Sequence, residues 1–310
     1  LNESFVASGA GAAFAAPLER DLILTERDFS RIRELIYQRA GIVLAEHKRE
    51  MVYSRLAKRL RHHGLSRFSE YLERLERSPE AKEWQAFTNA LTTNLTAFFR
   101  EAHHFPLLAE HVRQHAEPRP GGALSGAGGP LNDSRVRVWS SAASTGEEPY
   151  SIAMTLEEAL GPNRYEVVAT DIDTEALAKA RTGVYAIDQI AKLDEAKARR
   201  HFQRGKGRQE GLARIRPELA ANVTFSALNL LAPSWSVQGP FDAIFCRNVM
   251  IYFDRPTQKR ILERFAPLLK PDGLLFAGHS ENFSSLCEAF QLRGQTVYRR
   301  ASHSYAHPGA

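Results

Sequence analysis

The stretch Val136 to Tyr150, VRVWSSAASTGEEPY, decides the fold: an apolar strand, a turn of small residues around Gly146, two adjacent glutamates and the start of a helix. An open α/β sheet begins its ligand-binding edge in this way, because small residues let the backbone approach a ligand at the carboxyl end of the first strand. A second apolar strand over Tyr165 to Thr170 ends in Asp171, about 25 residues after the turn. Such folds place there the carboxylate that accepts hydrogen bonds from ribose hydroxyls. A ribose-bearing ligand is therefore expected.

The turn narrows the choice of ligand. Dinucleotide folds seat a pyrophosphate on G-x-G-x-x-G, whereas here Gly146 stands alone among Ser141, Ala142, Ala143, Ser144 and Thr145. Glu147 and Glu148 put negative charge where a pyrophosphate would sit. The same charge suits an ammonium or a sulfonium, and S-adenosylmethionine carries both together with a ribose. Acidic residues in a first turn also complement the helix dipole with no ligand present. Asp171 and the order of strands favour the cofactor.

Composition sets wide limits. A chain of 310 residues, 43% of them hydrophobic, has room for two domains with ordinary cores. Its two cysteines, Cys246 in an expected strand and Cys287 on an expected later helix, make no metal-ligand pattern, so a reducing cytoplasm is the default. No apolar run reaches the length of a membrane span, and Leu1 to Pro17 reads as a flexible tail without a basic leader. His103 and His104 are adjacent, share no acidic or cysteine partners at ligand spacing, and are not read as a metal site.

The net charge of +5 is unevenly spread: from Arg39 to Arg67 there are eight Lys or Arg and two Asp or Glu. On a helix from about His47 to His63, Lys48, Arg55, Arg59 and His62 recur as one basic ridge, with Met51, Val52, Leu56 and Leu60 as the apolar stripe behind it. Spacing alone leaves two readings open, a solvated helix face or a docking surface for an acidic partner.

The chain divides into a flexible tail (1–24), a small domain of amphipathic helices (25–90), a larger α/β domain (91–300) and a second tail (301–310). Thr25 caps a first helix carrying Phe29, Ile32, Leu35 and Ile36, and Ser66 opens another through Phe68, Tyr71, Leu72 and Leu75. The run EPRPGGALSGAGGPLNDS at Glu117 to Ser134 is read as a disordered insertion. After a helix over Thr174 to Arg181, the stretch Gly183 to Pro217 fits no parallel element and suggests a small strand-bearing insertion. The sheet resumes at Asn222 to Ala227, with Asn229 following, and at Phe241 to Cys246, apolar enough to be buried on both faces. A helix over Pro256 to Leu269 and a turn at Lys270 to Gly273 then lead into a strand over Leu274 to Ala277.

Several long strings share one likeness. LTTNLTAFFREAHHF (Leu91 to Phe105), ASTGEEPYSIAM (Ala143 to Met154), TDIDTEALAKAR (Thr170 to Arg181), FDAIFCRNVMIYFD (Phe241 to Asp254), LLKPDGLLFAGHSENF (Leu268 to Phe283) and LIYQRAGIVLAEHKREMVYSRL (Leu35 to Leu56) resemble the chemotaxis receptor methyltransferases, the CheR family. The likeness runs from about Asp28 to Tyr298. It implies a class I S-adenosylmethionine-dependent, Rossmann-like methyltransferase domain preceded by a small all-α domain and carrying a small β-subdomain. It implies transfer of methyl from S-adenosylmethionine to glutamate side chains of methyl-accepting chemotaxis receptors in the cytoplasm, yielding glutamyl methyl esters and S-adenosylhomocysteine. A glutamate is ionised at neutral pH, with an ordinary pKa of about 4.3, so such a reaction needs orientation and desolvation rather than a general base.

The resemblance also assigns roles. Asn94, Thr96 and Arg100 would close over the cofactor, with Arg100 as a carboxylate partner. Glu148 would hold the ammonium, Asp171 the ribose, and Asn229 with Leu230 would border the adenine. Arg247 and Asn248 would complete the cofactor site, and Tyr252 would face the sulfonium and the incoming glutamate. The ridge of Lys48, Arg55, Arg59 and His62 would dock the acidic methylation region of the receptor, and the β-subdomain would correspond to the one that in some members grips a receptor's C-terminal peptide. A monomer suffices, with no nucleic acid and no membrane insertion. Two rivals are a receptor adaptor that binds the cofactor without turnover and a nucleic-acid methyltransferase. The second lacks the N-P-P-Y or D-P-P-Y tetrad, and neither cysteine follows a proline. A dehydrogenase lacks its glycine fingerprint.

Overall fold

The structure, a computed structural model, describes residues 22–77, 81–116 and 135–301. The expected insertion over 117–134 and the two tails over 1–21 and 302–310 lie outside the described residues.

The helical domain begins earlier than expected. Leu22 and Leu24 are buried in its core, so the last residues assigned to a flexible tail are packed. Thr25 then starts α1 (Glu26–Ala40) with a capping box: its Oγ1 accepts from Asp28 N at 3.1 Å, and the Asp28 carboxylate accepts from Thr25 N at 3.2 Å. Phe29, Ile32, Leu35 and Ile36 face inward at helical spacing, against α2 (Arg49–His62), α3 (Phe68–Arg77) and α4 (Ala81–Leu91). The helix expected from His47 opens as a 3₁₀ turn over Glu46–Lys48 before α2. α1 stops at Gly41 in the left-handed region, φ 68°, where an added Cβ would lie 2.5 Å from Leu231 Cδ1. Glycine there lets the helical domain approach the second domain closely.

The second domain is built on a seven-stranded sheet. After α5 (His104–Ala116) come β1 (Val136–Ser140), α6 (Glu147–Leu160), β2 (Tyr165–Asp171) and α7 (Thr174–Thr182). A three-stranded antiparallel sheet interrupts the domain: β3 (Val184–Ala186), β4 (Phe202–Arg204) and β5 (Leu212–Ile215), with the short helices α8 (Ile187–Ile190) and α9 (Glu195–His201) between them. Beyond α10 (Pro217–Ala220) the main sheet continues with β6 (Val223–Ala227), β7 (Phe241–Cys246), α11 (Arg255–Phe265), β8 (Leu269–Ala277), β9 (Phe290–Gly294) and β10 (Val297–Arg300). Its order is β6-β2-β1-β7-β8-β10-β9, parallel from β6 to β8 and antiparallel in the last two strands. The order reverses between β1 and β7, and the loops leaving those strands open a crevice where such sheets bind ligands. β7 is buried throughout, as a central parallel strand must be.

Three local expectations change. Lys270 to Gly273 is not a turn before the strand but an irregularity within β8, where the register against β7 moves from Phe241↔Leu269 to Ala243↔Leu274. Lys270 is drawn to the sheet by Asp242, Nζ to Oδ1 2.7 Å. The hairpin of β9 and β10 was not expected, because its outward residues are mostly polar and its strands short. Cys287 lies in the irregular segment before β9 rather than on a helix, and both cysteines are buried.

Candidate active site

A cavity of about 390 Å³ lies over the carboxyl ends of β1, β2 and β7, and its far wall is the helical domain. Its lining includes Asn94, Thr96, Arg100, Glu148, Asp171, Asn229, Leu230, Arg247, Asn248 and Tyr252, so every position assigned to cofactor or chemistry borders one space. The two domains meet around it through Val43 N to Tyr252 O at 2.8 Å, Asn229 Nδ2 to Arg39 O at 2.9 Å and Gln85 Nε2 to Ile172 O at 2.8 Å.

The first loop owes its shape to Ser144 and Gly146, both at positive φ (49° and 100°). A Cβ on Gly146 would lie 2.6 Å from Tyr185 Oη and 2.9 Å from Ala180 Cβ, so both conformation and space call for glycine. The Tyr185 hydroxyl donates to Thr145 O at 2.8 Å, which ties the small sheet to this loop. The two glutamates part company. Glu147 is buried and takes the Thr145 hydroxyl at 2.6 Å, while Glu148 borders the cavity.

Asp171 ends β2 with its carboxylate held open toward the cavity by two backbone donors, Ser144 N to Oδ2 at 2.7 Å and Asp173 N to Oδ1 at 2.8 Å. Burial pushes its carboxyl up to about 6, against the pull of those N–H groups. A ribose bound through the ionised form must therefore lose affinity as the pH falls through about 6. Calorimetric titration of S-adenosylhomocysteine at pH 8, 7, 6 and 5 should show a flat affinity at the upper end and roughly a tenfold loss per unit at the lower end. Flat affinity down to pH 5 would mean the carboxylate does not carry the ribose.

Arg247 is the electrostatic centre, with its side chain almost wholly buried. It lies 3.0 Å from Glu148 Oε2 and 3.2 Å from Glu101 Oε2, and it also donates to the carbonyl of Arg100. Glu148 accepts a second hydrogen bond from Ser140 Oγ at 2.7 Å. Burial pushes the Glu148 carboxyl upward, against Arg247 and Ser140. Burial also opposes the charge on Glu101, but hydrogen bonds from His279, the charge of Arg247 and the Asn248 amide hold it down at about 2. Arg247 thus acts on the cavity through the carboxylates it pairs with. The Arg100 guanidinium does not pair with Glu101; its Nη1 donates to Leu95 O at 2.7 Å, and the side chain lines the cavity.

Other assigned residues are drawn into scaffolding. Asn94 bridges two loops, donating to Asp173 Oδ2 at 2.6 Å and accepting from Ser144 Oγ at 3.1 Å. Asn229 caps its own turn, accepting from Leu231 N at 2.9 Å. Tyr252 packs its ring against the helical core and offers its carbonyl to Val43. The expected basic ridge is not brought together as a free surface: Arg59 pairs with Glu83 at 2.5 Å, and Arg55 donates to the carbonyls of Ala90 and Thr92. Lys48 and His62 are exposed. His104 is buried against Thr296 and Gln295, and no metal-holding cluster occurs among the described residues. Sequence reading missed Asp173, which caps α7 and takes the Thr92 hydroxyl at 2.6 Å, although an aspartate before Thr174-Glu175 is an N-cap signal. It also missed Glu281, which receives Asn248 N, Met250 N and Gly278 N and so shapes the loop after β7.

These groups fit S-adenosylmethionine. Asp171 offers a carboxylate that vicinal hydroxyls could use, Ile172, Leu228 and Leu230 add apolar lining suited to a base, and Arg100 offers a guanidinium suited to a carboxylate. Glu148 keeps acceptor capacity for an ammonium, since a carboxylate has about four lone-pair sites and only two are taken. A sheet of this order with this crevice defines a class I S-adenosylmethionine-dependent methyltransferase.

Comparison with known proteins narrows the class. Residues 27–92 match the family described as "CheR methyltransferase, all-alpha domain", and residues 94–299 match "CheR methyltransferase, SAM binding domain". The chain belongs to the CheR methyltransferase family. It is 61% identical over 280 residues to the chemotaxis protein methyltransferase of Salmonella typhimurium, covering 89% of this chain and 91% of that one. It is 60% identical over 279 residues to the Escherichia coli protein of the same name, covering 89% and 92%. Chemotaxis protein methyltransferase 2 of Pseudomonas aeruginosa is 51% identical over 280 residues, covering 89% and 94%.

Proposed function

We propose that this methyltransferase esterifies glutamate side chains of chemoreceptors in the cytoplasm, and the observation that carries the reading is the cavity itself. Its two carboxylates are committed, Asp171 to backbone donors and the ribose, Glu148 to Arg247 and the ammonium. An acceptor that needed a proton removed would find no free carboxylate among these described residues, whereas an ionised glutamate needs none. The relatives' name, chemotaxis protein methyltransferase, supports a chemoreceptor as the source of that glutamate.

When bound, S-adenosylmethionine supplies an activated methyl group. The chain's own residues do the rest. Asp171, Glu148 and Arg100 fix the cofactor at its ribose, ammonium and carboxylate, so that the reacting carbon has one orientation. Tyr252 closes the side toward the incoming acceptor, its main chain fastened to Val43. Arg247 opposes the rise that burial imposes on Glu148 and helps the hydrogen bonds from His279 keep Glu101 ionised. Enclosure between the two domains strips water from that carboxylate and raises its nucleophilicity.

The test is transfer of labelled methyl to membranes bearing chemoreceptors. Label lost in mild alkali is expected, as a carboxyl methyl ester requires; alkali-stable label, or label on RNA, would overturn the reading. Docking of an acidic receptor region rests on the exposed members of the basic set. In the same assay Lys48→Glu with His62→Glu should therefore lower receptor kcat/KM several-fold and flatten its salt dependence. The small sheet of β3, β4 and β5 is proposed as the seat for a receptor's C-terminal peptide.

A further inference from the structure

Buried polar atoms pair almost without exception, so an orphan calls for an explanation. Among the described residues three buried side-chain atoms have no hydrogen-bond partner: Glu101 Oε2, His104 Nδ1 and Arg247 Nε. They lie together. His104 Nδ1 is 3.7 Å from Glu101 Oε2, which is 3.2 Å from Arg247 Nη2, and Nε shares one edge of the guanidinium fork with Nη2. The side chains of Glu101, His104 and Arg247 are 10%, 0% and 1% exposed, so bulk solvent does not satisfy them.

Their donor and acceptor roles follow from their neighbours. His104 Nε2 is 3.2 Å from Gln295 O and 3.1 Å from the Thr296 hydroxyl, which itself donates to Gln295 O at 2.6 Å. A carbonyl only accepts, so Nε2 carries the imidazole hydrogen and Nδ1 is left as an acceptor. Burial and the charge of Arg247 keep the ring neutral, its pKa pushed down to about 4. The ionised Glu101 is a second acceptor, and Arg247 Nε is a donor. Two acceptors thus face each other with no hydrogen between them, at a distance too long for a direct bond.

We infer that one buried water molecule joins these atoms, donating to Glu101 Oε2 and His104 Nδ1 and accepting from Arg247 Nε, and that His104 thereby acts as a positioning residue for Arg247. Two hydrogens and a lone pair match the three orphans one for one, and buried waters typically make about three hydrogen bonds. A separation of 3.7 Å lets a single oxygen reach both acceptors at roughly 2.8 Å. The consequence reaches the cofactor site, because Arg247 Nη1 holds Glu148 Oε2 at 3.0 Å and Nη2 holds the carbonyl of Arg100. His104 is anchored in turn by Gln295 and Thr296, which join β9 to β10 at φ 48° and 61° and do not border the cavity. A hairpin outside the site so helps to set the seat of the ammonium. The inference holds whichever acceptor is methylated and rests only on Glu148 as that seat.

Two variants separate the two ring nitrogens. His104→Gln keeps a donor where Nε2 stood and removes the Nδ1 acceptor, whereas His104→Asn keeps a polar atom where Nδ1 stood and releases the hairpin. Calorimetry reads two ligands, S-adenosylhomocysteine and 5′-methylthioadenosine, which has the same base and ribose but no ammonium. His104→Gln should lower S-adenosylhomocysteine affinity roughly tenfold, the usual size of effect when a buried polar group loses its partner, and leave methylthioadenosine affinity unchanged. His104→Asn should melt at a lower temperature yet keep most of the S-adenosylhomocysteine affinity. A crystal structure of the unaltered protein should show a water within hydrogen-bond reach of all three atoms. A direct bond between His104 and Glu101 in that crystal, with no water between them, would overturn the bridge. Equal losses for both ligands, following melting temperature across the two variants, would mean that His104 is merely structural. If the unaltered protein binds S-adenosylhomocysteine no tighter than methylthioadenosine, the ammonium seat itself fails and the positioning role goes with it.

Discussion

Arg247→Met should be the most destabilising single change in the second domain, lowering unfolding free energy by about 3–5 kcal/mol, the usual result of removing one partner from a buried ion pair. Two carboxylates, Glu148 and Glu101, lie within 3.2 Å of this guanidinium, and neither has another cation of comparable burial. Methionine fills the volume but takes from both carboxylates their buried cation, leaving Glu148 with the Ser140 hydroxyl and Glu101 with His279 and Asn248. The variant should regain stability as the pH is lowered. Without Arg247 the Glu148 carboxyl, already pushed up by burial, rises further above its unfolded value, so the folded state binds more protons and gains stability in acid. Urea unfolding at pH 7.5 and 5.5 checks both points, and adding Glu101→Gln and Glu148→Gln should recover much of the loss. A loss below about 1 kcal/mol would mean the triad is solvated and the electrostatic account is wrong.

Asp171→Ala should lower S-adenosylhomocysteine affinity at least hundredfold while leaving the melting temperature of the free protein nearly unchanged. Hydrogen bonds to a charged acceptor contribute roughly 1.5–3 kcal/mol each, and in the proposed reading a ribose brings two vicinal hydroxyls to this one carboxylate. The native state gains little from Asp171, because its buried charge is held against a raised pKa of about 6. Asp173→Ala should behave in the opposite way. Asp173 caps α7 and anchors Thr92 and Asn94, so its loss should destabilise the link between the domains and weaken cofactor binding only through that disorder. If the two variants prove indistinguishable in binding and melting, the division between ligand contact and scaffold within Asp171-Ile172-Asp173 fails.

The legible parts of the chain were those where local chemistry and tertiary role agree. The stretch from Val136 to Tyr150 reads as strand, turn and helix because its apolar run, positive-φ glycine and acidic first turn each serve the local backbone and the sheet alike. Phe241 to Cys246 reads as a central strand because burial on both faces demands an unbroken apolar run. The hairpin of β9 and β10 hides because Gln291, Leu292 and Arg293 face solvent, and only the pairing of β10 with β8 and of β9 with β10 makes these segments strands. In the site, the positions bordering the cavity were legible through resemblance, but their partners were not. Spacing on α2 groups Arg55 and Arg59 with Lys48, whereas Arg59 turns to Glu83 on α4 and Arg55 to the carbonyls that end α4, choices that no helical period contains. Glu101 is similar, since its pairing with Arg247, His279 and Asn248 spans far more sequence than any local pattern.

The wall shared between the domains has an evolutionary consequence. The segment from Arg39 to Met51 belongs to the helical domain yet closes the cavity, with Arg39, Gly41 and Val43 meeting Asn229, Leu231 and Tyr252. A lineage could not exchange this helical module for one with a new target and keep its catalysis, because the graft would remove a side of the cofactor's container. Divergence in target choice is thereby channelled into substitutions at the rim and on the outer helix faces, while the architecture is inherited as one piece.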